Sequence, residues 1–140
     1  MKTVHIAKVE DLDRIAHIDK EVSGNTSRLS YFKTSIDLRN CIIAKCDKEI
    51  AGFLIYETNF FDCAFISLVV ISPSYRRKGF ASLLLDYMMS QSPTPKVFSS
   101  TNRSNLSMQK AFDSNGFIES GIVENLDEGD PEIIYFKSKE

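Results

Sequence analysis

The segment with the clearest chemical character is a short turn that carries three cations and a glycine. Residues 76–78 read Arg-Arg-Lys, and Gly79 follows them directly. An apolar run at residues 68–71 precedes the turn, and an apolar helical period begins after it at Phe80. The start of a helix presents unpaired N–H groups and a partial positive charge, which nearby cations strengthen. The segment therefore predicts a site for a phosphate or pyrophosphate group.

The same residues fit a plainer interpretation, a solvated charge run followed by a turn glycine. The apolar run before the turn and the helical period after it favour the anion site. No second glycine completes a dinucleotide fingerprint, and no Gly-Lys-Ser/Thr sequence completes a nucleotide P-loop. The segment therefore argues against hydride transfer and nucleotide hydrolysis.

The cysteines and histidines do not predict a reactive cluster. Cys41, Cys46 and Cys63 are an odd number in no metal-like spacing, which argues against a zinc site and a disulfide framework. His5 and His17 form no recognisable pair with another residue, so we interpret each as structural or exposed. We expect no metal, and a reducing, cytoplasmic compartment.

Size and charge limit the class of protein. The chain has 140 residues, of which 43% are hydrophobic, enough for one domain spanning residues 1–140. A net charge of -2 provides no basic field for a nucleic acid. The longest apolar run is too short to cross a bilayer, and no signal peptide is recognised. We therefore expect one domain that binds neither nucleic acids nor membranes.

Hydrophobic periodicity indicates an α+β fold. The apolar patterns predict strands near residues 3–7, 41–44, 50–56, 64–71, 96–100, 117–123 and 133–137. They predict helices near residues 10–22, 28–36, 80–91 and 105–114. The order β-α-α-β-β-β-α-β-α-β-β predicts a mixed sheet with helices on both faces.

The cationic turn also resembles a family motif. Ile71-x-Pro73 at a strand end leads into Arg76-x-x-Gly79-x-Ala81. This is similar to the acetyl-CoA motif of the GNAT family of N-acetyltransferases, Arg/Gln-x-x-Gly-x-Gly/Ala. The order of elements resembles the same family over essentially the whole chain, which implies the GNAT acyl-CoA N-acyltransferase fold.

The resemblance implies acetyl-CoA as cosubstrate. Backbone groups of one strand would bind the pantetheine arm, the turn and the helix start would bind the pyrophosphate, and an asparagine would lie beside the pantetheine. The implied cofactor-binding residues are Val69, Val70, Ile71, Arg76, Arg77, Lys78, Gly79, Phe80, Ala81, Ser82 and Asn105. Asn105 also fits the N-cap of the following helix, and the two roles are compatible.

The last predicted helix resembles the family signature but lacks its acid. Asn105 and the later Gly116-Phe117 match the pattern, whereas the family's tyrosine, four residues before the glycine, is Phe112 here. A phenyl ring cannot protonate a departing thiolate, so water or the hydroxyl of Ser107 is left for that role.

The sequence does not single out the base that deprotonates the acceptor. An amine must lose a proton before it attacks a thioester, and a carboxylate or a water chain can accept that proton. Glu57, near the end of the third predicted strand, is the best-placed carboxylate. A solubilising residue at a strand end is the competing interpretation of Glu57.

The resemblance implies an acetyl-CoA-dependent N-acetyltransferase that moves the acetyl group directly to an amine of a small molecule or peptide. Two alternatives stay open: a catalytically weak acyl-CoA-binding regulatory module, and an interaction domain that binds no CoA. The acidic segment at residues 124–132 fits a solvated hairpin turn, or a wall that favours cationic amines. A homodimer is compatible with an exposed last strand, whose edge can pair across a two-fold axis.

Overall fold

Within residues 1–139, which the computed structural model describes, strands and helices follow the predicted order. The strands are β1 (Lys2–Ile6), β2 (Cys41–Cys46), β3 (Glu49–Phe60), β4 (Cys63–Ile71), β5 (Lys96–Asn102), β6 (Ile118–Val123) and β7 (Glu132–Ser138). The helices are α1 (Leu12–Ser23), α2 (Leu29–Asp37), α3 (Phe80–Gln91) and α4 (Leu106–Ser114), with short 3-10 turns at Val9–Asp11 and Pro73–Tyr75. The predicted α+β class is therefore confirmed.

The strands form one mixed sheet in the order β1-β2-β3-β4-β5-β7-β6. β4 and β5 are parallel, whereas β7 is antiparallel to both β5 and β6. The prediction that the last strand is an exposed edge is therefore wrong. β7 lies between β5 and β6, and its alternate residues Ile133 and Tyr135 are buried. Every residue of β6 is exposed. The edge is β6, and a homodimer stays a prediction.

The third strand is longer than its apolar pattern predicts. Polar residues near position 59 indicate a break there, yet β3 continues to Phe60. The turn therefore consists of two residues, Phe61 and Asp62, whose φ angles are 50° and 62°. Two consecutive left-handed residues match the twist of a tight hairpin, which explains why the strands run so close to the turn.

The described chain is divided into two compact units, and β3 and β4 contribute residues to each. The first unit contains Met1–Tyr56 and Leu68–Met88. Its core is formed by apolar residues of α1, α2, β2, β3 and β4. In this core the rings of Phe32 and Phe53 meet edge to face, with centroids 5.4 Å apart. This core fixes the end of β4 that leads into the cationic turn.

The second unit contains Glu57–Ser67 and the chain from Met89 onward. Aromatic rings from adjacent strands pack across its sheet, as Phe98 and Phe136 do at a centroid distance of 5.2 Å. Gly116, with a φ of 82°, ends α4 in the left-handed conformation predicted for it. Among residues 1–139, no helix has the length and apolar character that crossing a membrane requires.

Candidate active site

The cationic turn of the first unit folds into a loop with two left-handed residues. Arg77 has a φ of 62° and Gly79 a φ of 85°, so Lys78 lies between two left-handed residues. Gly79 directly precedes α3, and its carbonyl accepts a hydrogen bond from the Leu83 N–H of that helix at 3.1 Å. Alternating backbone conformations of this kind make N–H groups converge on an anion. The predicted link between Gly79 and a helix start is confirmed.

The side chains of the loop leave its positive charge available. Arg76, Arg77 and Lys78 are exposed, and within the described residues no carboxylate forms an ion pair with them. The Arg76 Nε donates to the carbonyl of Ile71 at 3.4 Å, which holds the turn against the end of β4. The loop therefore combines oriented amides, a helix dipole and three cations, which together suit a multiply charged phosphate group.

An aromatic pair, half-buried Tyr75 and buried Phe80, flanks this loop in the sequence. The rings of Tyr75 and Phe80 meet edge to face at 5.6 Å, and Phe80 is buried. The Tyr75 hydroxyl donates to Glu49 Oε1 at 2.6 Å, and this hydrogen bond raises the pKa of Tyr75. Phe80 thus packs as a core residue, so any role of this position in ligand binding would fall to its backbone.

Gly52 in β3 has a positional role that its sequence context did not reveal. A Cβ at Gly52 would lie 2.7 Å from the carbonyl oxygen of Val70 and 2.7 Å from Cδ1 of Ile71. The Ser72 N–H also donates to the carbonyl of Ala51 at 2.8 Å. Only a glycine lets β3 approach this part of β4 so closely, and no motif marks the requirement.

Lys2 is a second residue whose position no sequence motif indicates. Its ammonium donates to the carbonyl of Lys78, inside the loop, although the two residues are 76 positions apart. It also lies 4.9 Å from the centroid of the Phe80 ring. A lysine near the beginning of a short strand gives no sequence signal for such a contact.

In the second unit, β4 and β5 pair over a short stretch. The parallel register joins Ala64 to Val97 and ends at the pair Ile66 and Ser99. The buried Ser99 hydroxyl donates to the carbonyl of Ile66 at 2.8 Å. The register thus ends well before β5 does, at Asn102.

Asn105 caps α4, as its position predicts. Its Oδ1 accepts the N–H of Met108 at 3.1 Å, which satisfies one unpaired donor of the first turn. Ser107, the candidate acid, is exposed in that same turn. The structure thus shows the structural role of Asn105, and a contact of Asn105 or Ser107 with a cofactor stays a prediction.

Phe112 is part of the core of the second unit. It is 1% exposed and stacks on Tyr135, which is also 1% exposed, with centroids 4.7 Å apart and an interplanar angle of 26°. The ring of Phe117 lies 5.3 Å away. Burial raises the pKa of the Tyr135 phenol, and the charges of Asp113 and Glu119 raise it further. The phenol of Tyr135 is therefore held in its protonated form.

The acidic segment between β6 and β7 is mostly exposed, and hydrogen bonds anchor it. Asp130 accepts two hydrogen bonds from Ser104, one from its N–H at 2.9 Å and one from its hydroxyl at 2.6 Å. Asn102 donates to Asp127 Oδ2 at 2.9 Å, and the Arg103 N–H donates to the carbonyl of Pro131 at 2.9 Å. The segment is thereby fixed to the loop that precedes α4.

Glu57, the cysteines and His17 belong to four elements, β3, β2, β4 and α1. Glu57, the candidate base, is half-buried in the part of β3 that belongs to the second unit. All three cysteines are free, and burial raises the pKa of the Cys41 thiol to about 12. His17 is exposed beside Glu21 at 4.0 Å. Within the described residues, no group of histidine, cysteine and carboxylate side chains is arranged to hold a metal ion.

The comparison with known families decides between the candidate identities of this fold. The family described as Acetyltransferase (GNAT) family matches residues 9–117, which include the loop and α4. The chain belongs to the GNAT acetyltransferase family. No curated protein matches it.

Solved structures agree with this assignment. This GNAT acetyltransferase is 62% identical to an acetyltransferase of the GNAT family from Bacillus cereus ATCC 10987, with a TM-score of 0.98 over 100% of this chain and 99% of that one. The ribosomal-protein-S18-alanine N-acetyltransferase from Escherichia coli shares the fold at 19% identity, with a TM-score of 0.83 over 99% and 94% of the two chains. The YncA protein from Salmonella typhimurium, solved with its cofactor acetyl-CoA, shares it at 13% identity and a TM-score of 0.80 over 99% and 94%.

Proposed function

We propose that residues 1–140 form one N-acetyltransferase domain that moves the acetyl group of acetyl-CoA directly to an amine. The observation that carries the proposal is the loop at residues 76–79, where left-handed Arg77 and Gly79 lead into the start of α3. Family membership supports acetyl transfer, and the relative from Salmonella typhimurium solved with acetyl-CoA supports the choice of donor.

The residues of the first unit suit the two polar parts of this donor. A pyrophosphate has acceptor oxygens only, which match the N–H groups of residues 77–82 and the exposed cations beside them. The amide groups of Val69, Val70 and Ile71 would bind the pantetheine arm in the manner of an added strand. Asn105 would lie beside that arm while it caps α4.

Acetyl-CoA supplies an activated acyl group on a thiol leaving group. The protein has to hold this group near the acceptor amine and to remove a proton from that amine. Glu57 is our candidate for the proton acceptor, directly or through water. Because Phe112 has no hydroxyl, it cannot give a proton to the thiolate. The thiolate leaves either unaided, which the ordinary thiol pKa of about 8.5 permits, or with a proton from water or Ser107.

The acceptor is an amine of a small molecule or a peptide. Transfer to peptide N-termini is supported by the Escherichia coli relative, whose name specifies an alanine of ribosomal protein S18. The anchored acidic segment between β6 and β7 supports a cationic acceptor, because carboxylates attract ammonium groups over several ångströms. We therefore propose to test polyamines, aminoglycosides and peptides with a free N-terminal alanine.

Calorimetric titration tests the donor first. We expect acetyl-CoA and free CoA to bind at micromolar concentrations, and ATP, which lacks the pantetheine arm, to bind far more weakly. Turnover of the amine panel, detected as free thiol, then tests the transfer. Absence of binding by acetyl-CoA and CoA would refute the donor site, and binding without turnover of any amine would favour a regulatory module.

A further inference from the structure

The ammonium of Lys2 connects the first strand to the candidate phosphate loop. It donates to the carbonyl of Lys78 and lies 4.9 Å from the centroid of the Phe80 ring. It is also 3.5 Å from the place that a Cβ of Gly79 would occupy. Lys78, Gly79 and Phe80, at the junction of the loop and α3, therefore lie close to one lysine that is remote in the sequence.

The position of Lys2 is set by the sheet and not by the loop. Lys2 pairs with Cys46 at the beginning of the antiparallel register between β1 and β2. The Asp47 N–H, just beyond that register, donates to the carbonyl of Met1 at 2.8 Å. The lysine thus reaches the loop from a fixed support, although its side chain is exposed.

The geometry of the peptide group gives this contact a consequence for ligand binding. The carbonyl of Lys78 and the N–H of Gly79 belong to one planar trans peptide and point in opposite directions. A cation that holds the carbonyl oxygen on one side therefore directs the Gly79 N–H toward the other side. Without the ammonium, the conformational freedom of Gly79 would allow this peptide to rotate.

We propose that Lys2 is a positioning residue for the pyrophosphate of CoA, an inference that rests on the proposed function. Lys2 fixes the Lys78–Gly79 peptide so that its N–H is directed to the phosphate oxygens before the ligand arrives. The Lys2 ammonium lies over the face of the Phe80 ring, and cation–π attraction keeps it in place. Its charge adds to the field at the start of α3.

Calorimetry with two ligands separates this role from a general effect on folding. CoA contains the pyrophosphate, and pantetheine lacks it. We expect Lys2→Met to raise the Kd of CoA about tenfold, because the rotated peptide would withdraw the charge-assisted hydrogen bond of the Gly79 N–H from the phosphate, and to leave the Kd of pantetheine unchanged. Lys2→Arg keeps the cation and the donor, and we expect its Kd for CoA to stay within about threefold of the unmodified protein.

Lys48→Met is the matched control, because Lys48 is an exposed lysine of the same unit in the turn between β2 and β3. It removes the same charge, and we expect it to leave both Kd values unchanged. An equal loss of CoA affinity in Lys2→Met and Lys48→Met, or an equal loss for CoA and pantetheine, would overturn the inference. Unchanged CoA binding by Lys2→Met would overturn this inference and leave the proposed function standing. Absence of CoA binding by the unmodified protein would overturn both.

Discussion

The rings of Phe112 and Tyr135 stack face to face in the interior of the second unit, with centroids 4.7 Å apart. Phe112 occupies the sequence position where the GNAT signature places a tyrosine, and both rings are only 1% exposed. The Phe112 ring is therefore part of a close-packed contact, which the hydroxyl of a tyrosine at this position would disturb.

Phe112→Tyr tests whether this position can supply an acid. A hydroxyl added to a buried ring needs a hydrogen-bond partner, and without one it costs about 1–3 kcal/mol. We expect a lower free energy of unfolding and no gain in acetyl transfer, measured by thermal unfolding and by thiol release. Phe112→Leu is the control that reduces the stacking without adding a polar group. A faster reaction of Phe112→Tyr at unchanged stability would show instead that the hydroxyl reaches the reacting thiol.

Gly79→Ala tests the proposed phosphate site at residues 76–79. A side chain at a φ of 85° costs about 1–2 kcal/mol in backbone strain. We expect that loss of stability together with a rise of about tenfold or more in the Kd of CoA, because relief of the strain turns the loop amides away from the ligand.

Gly24→Ala is the matched control for this loop. Gly24 ends α1 at a φ of 81°, and no atom lies within 4 Å of its would-be Cβ. It should lose similar stability and bind CoA normally. If both variants bind CoA equally well, the loop at residues 76–79 is not the phosphate site.

Gly52→Ala tests the close approach of β3 to β4. The added methyl group would lie 2.7 Å from the carbonyl oxygen of Val70, and backbone atoms cannot move aside without shifting the strand. We expect a loss of about 1–3 kcal/mol in stability, typical of overpacking, and weaker binding of CoA. Denaturant unfolding and calorimetry measure the two effects. Stability equal to that of the unmodified protein would show that β4 adapts freely.

The Cys41 thiol should be inert near neutral pH. Burial raises its pKa from 9.0 to about 12, so the reactive thiolate is scarce in the folded protein. At pH 8, a thiol reagent followed by mass spectrometry should modify Cys46 and Cys63, which are half-buried, before Cys41. Rapid labelling of all three cysteines in the folded protein would contradict this order.

The same raised pKa predicts a loss of stability in alkali. The thiol of the unfolded chain ionises near pH 9, whereas that of the folded chain holds its proton to about pH 12. The contribution of Cys41 is therefore fully present below pH 9 and is lost as the pH rises toward 12. Cys41→Ala should reduce this part of the pH dependence in denaturant titrations.

Local patterns in the sequence were sufficient for most of the fold. The apolar period from Phe80 onward predicts α3, and the cap residue Asn105 and the left-handed Gly116 mark the limits of α4. These features depend on neighbours within a few residues, so sequence spacing records them. The cationic turn before α3 was recognised for the same reason, since both its glycine and its helix are local.

Contacts between distant segments could be assigned only from the tertiary structure. The place of β7 inside the sheet depends on strand pairing across the chain, which an alternating apolar pattern does not specify. The closeness of Gly52 to Val70 and the reach of Lys2 to Lys78 join residues that share no periodicity. The sequence by itself thus determined the order of elements and the cationic loop before α3. Only packing decided which remote residues support that loop and that Phe112 is a core residue, because both depend on the distances between atoms of separate elements.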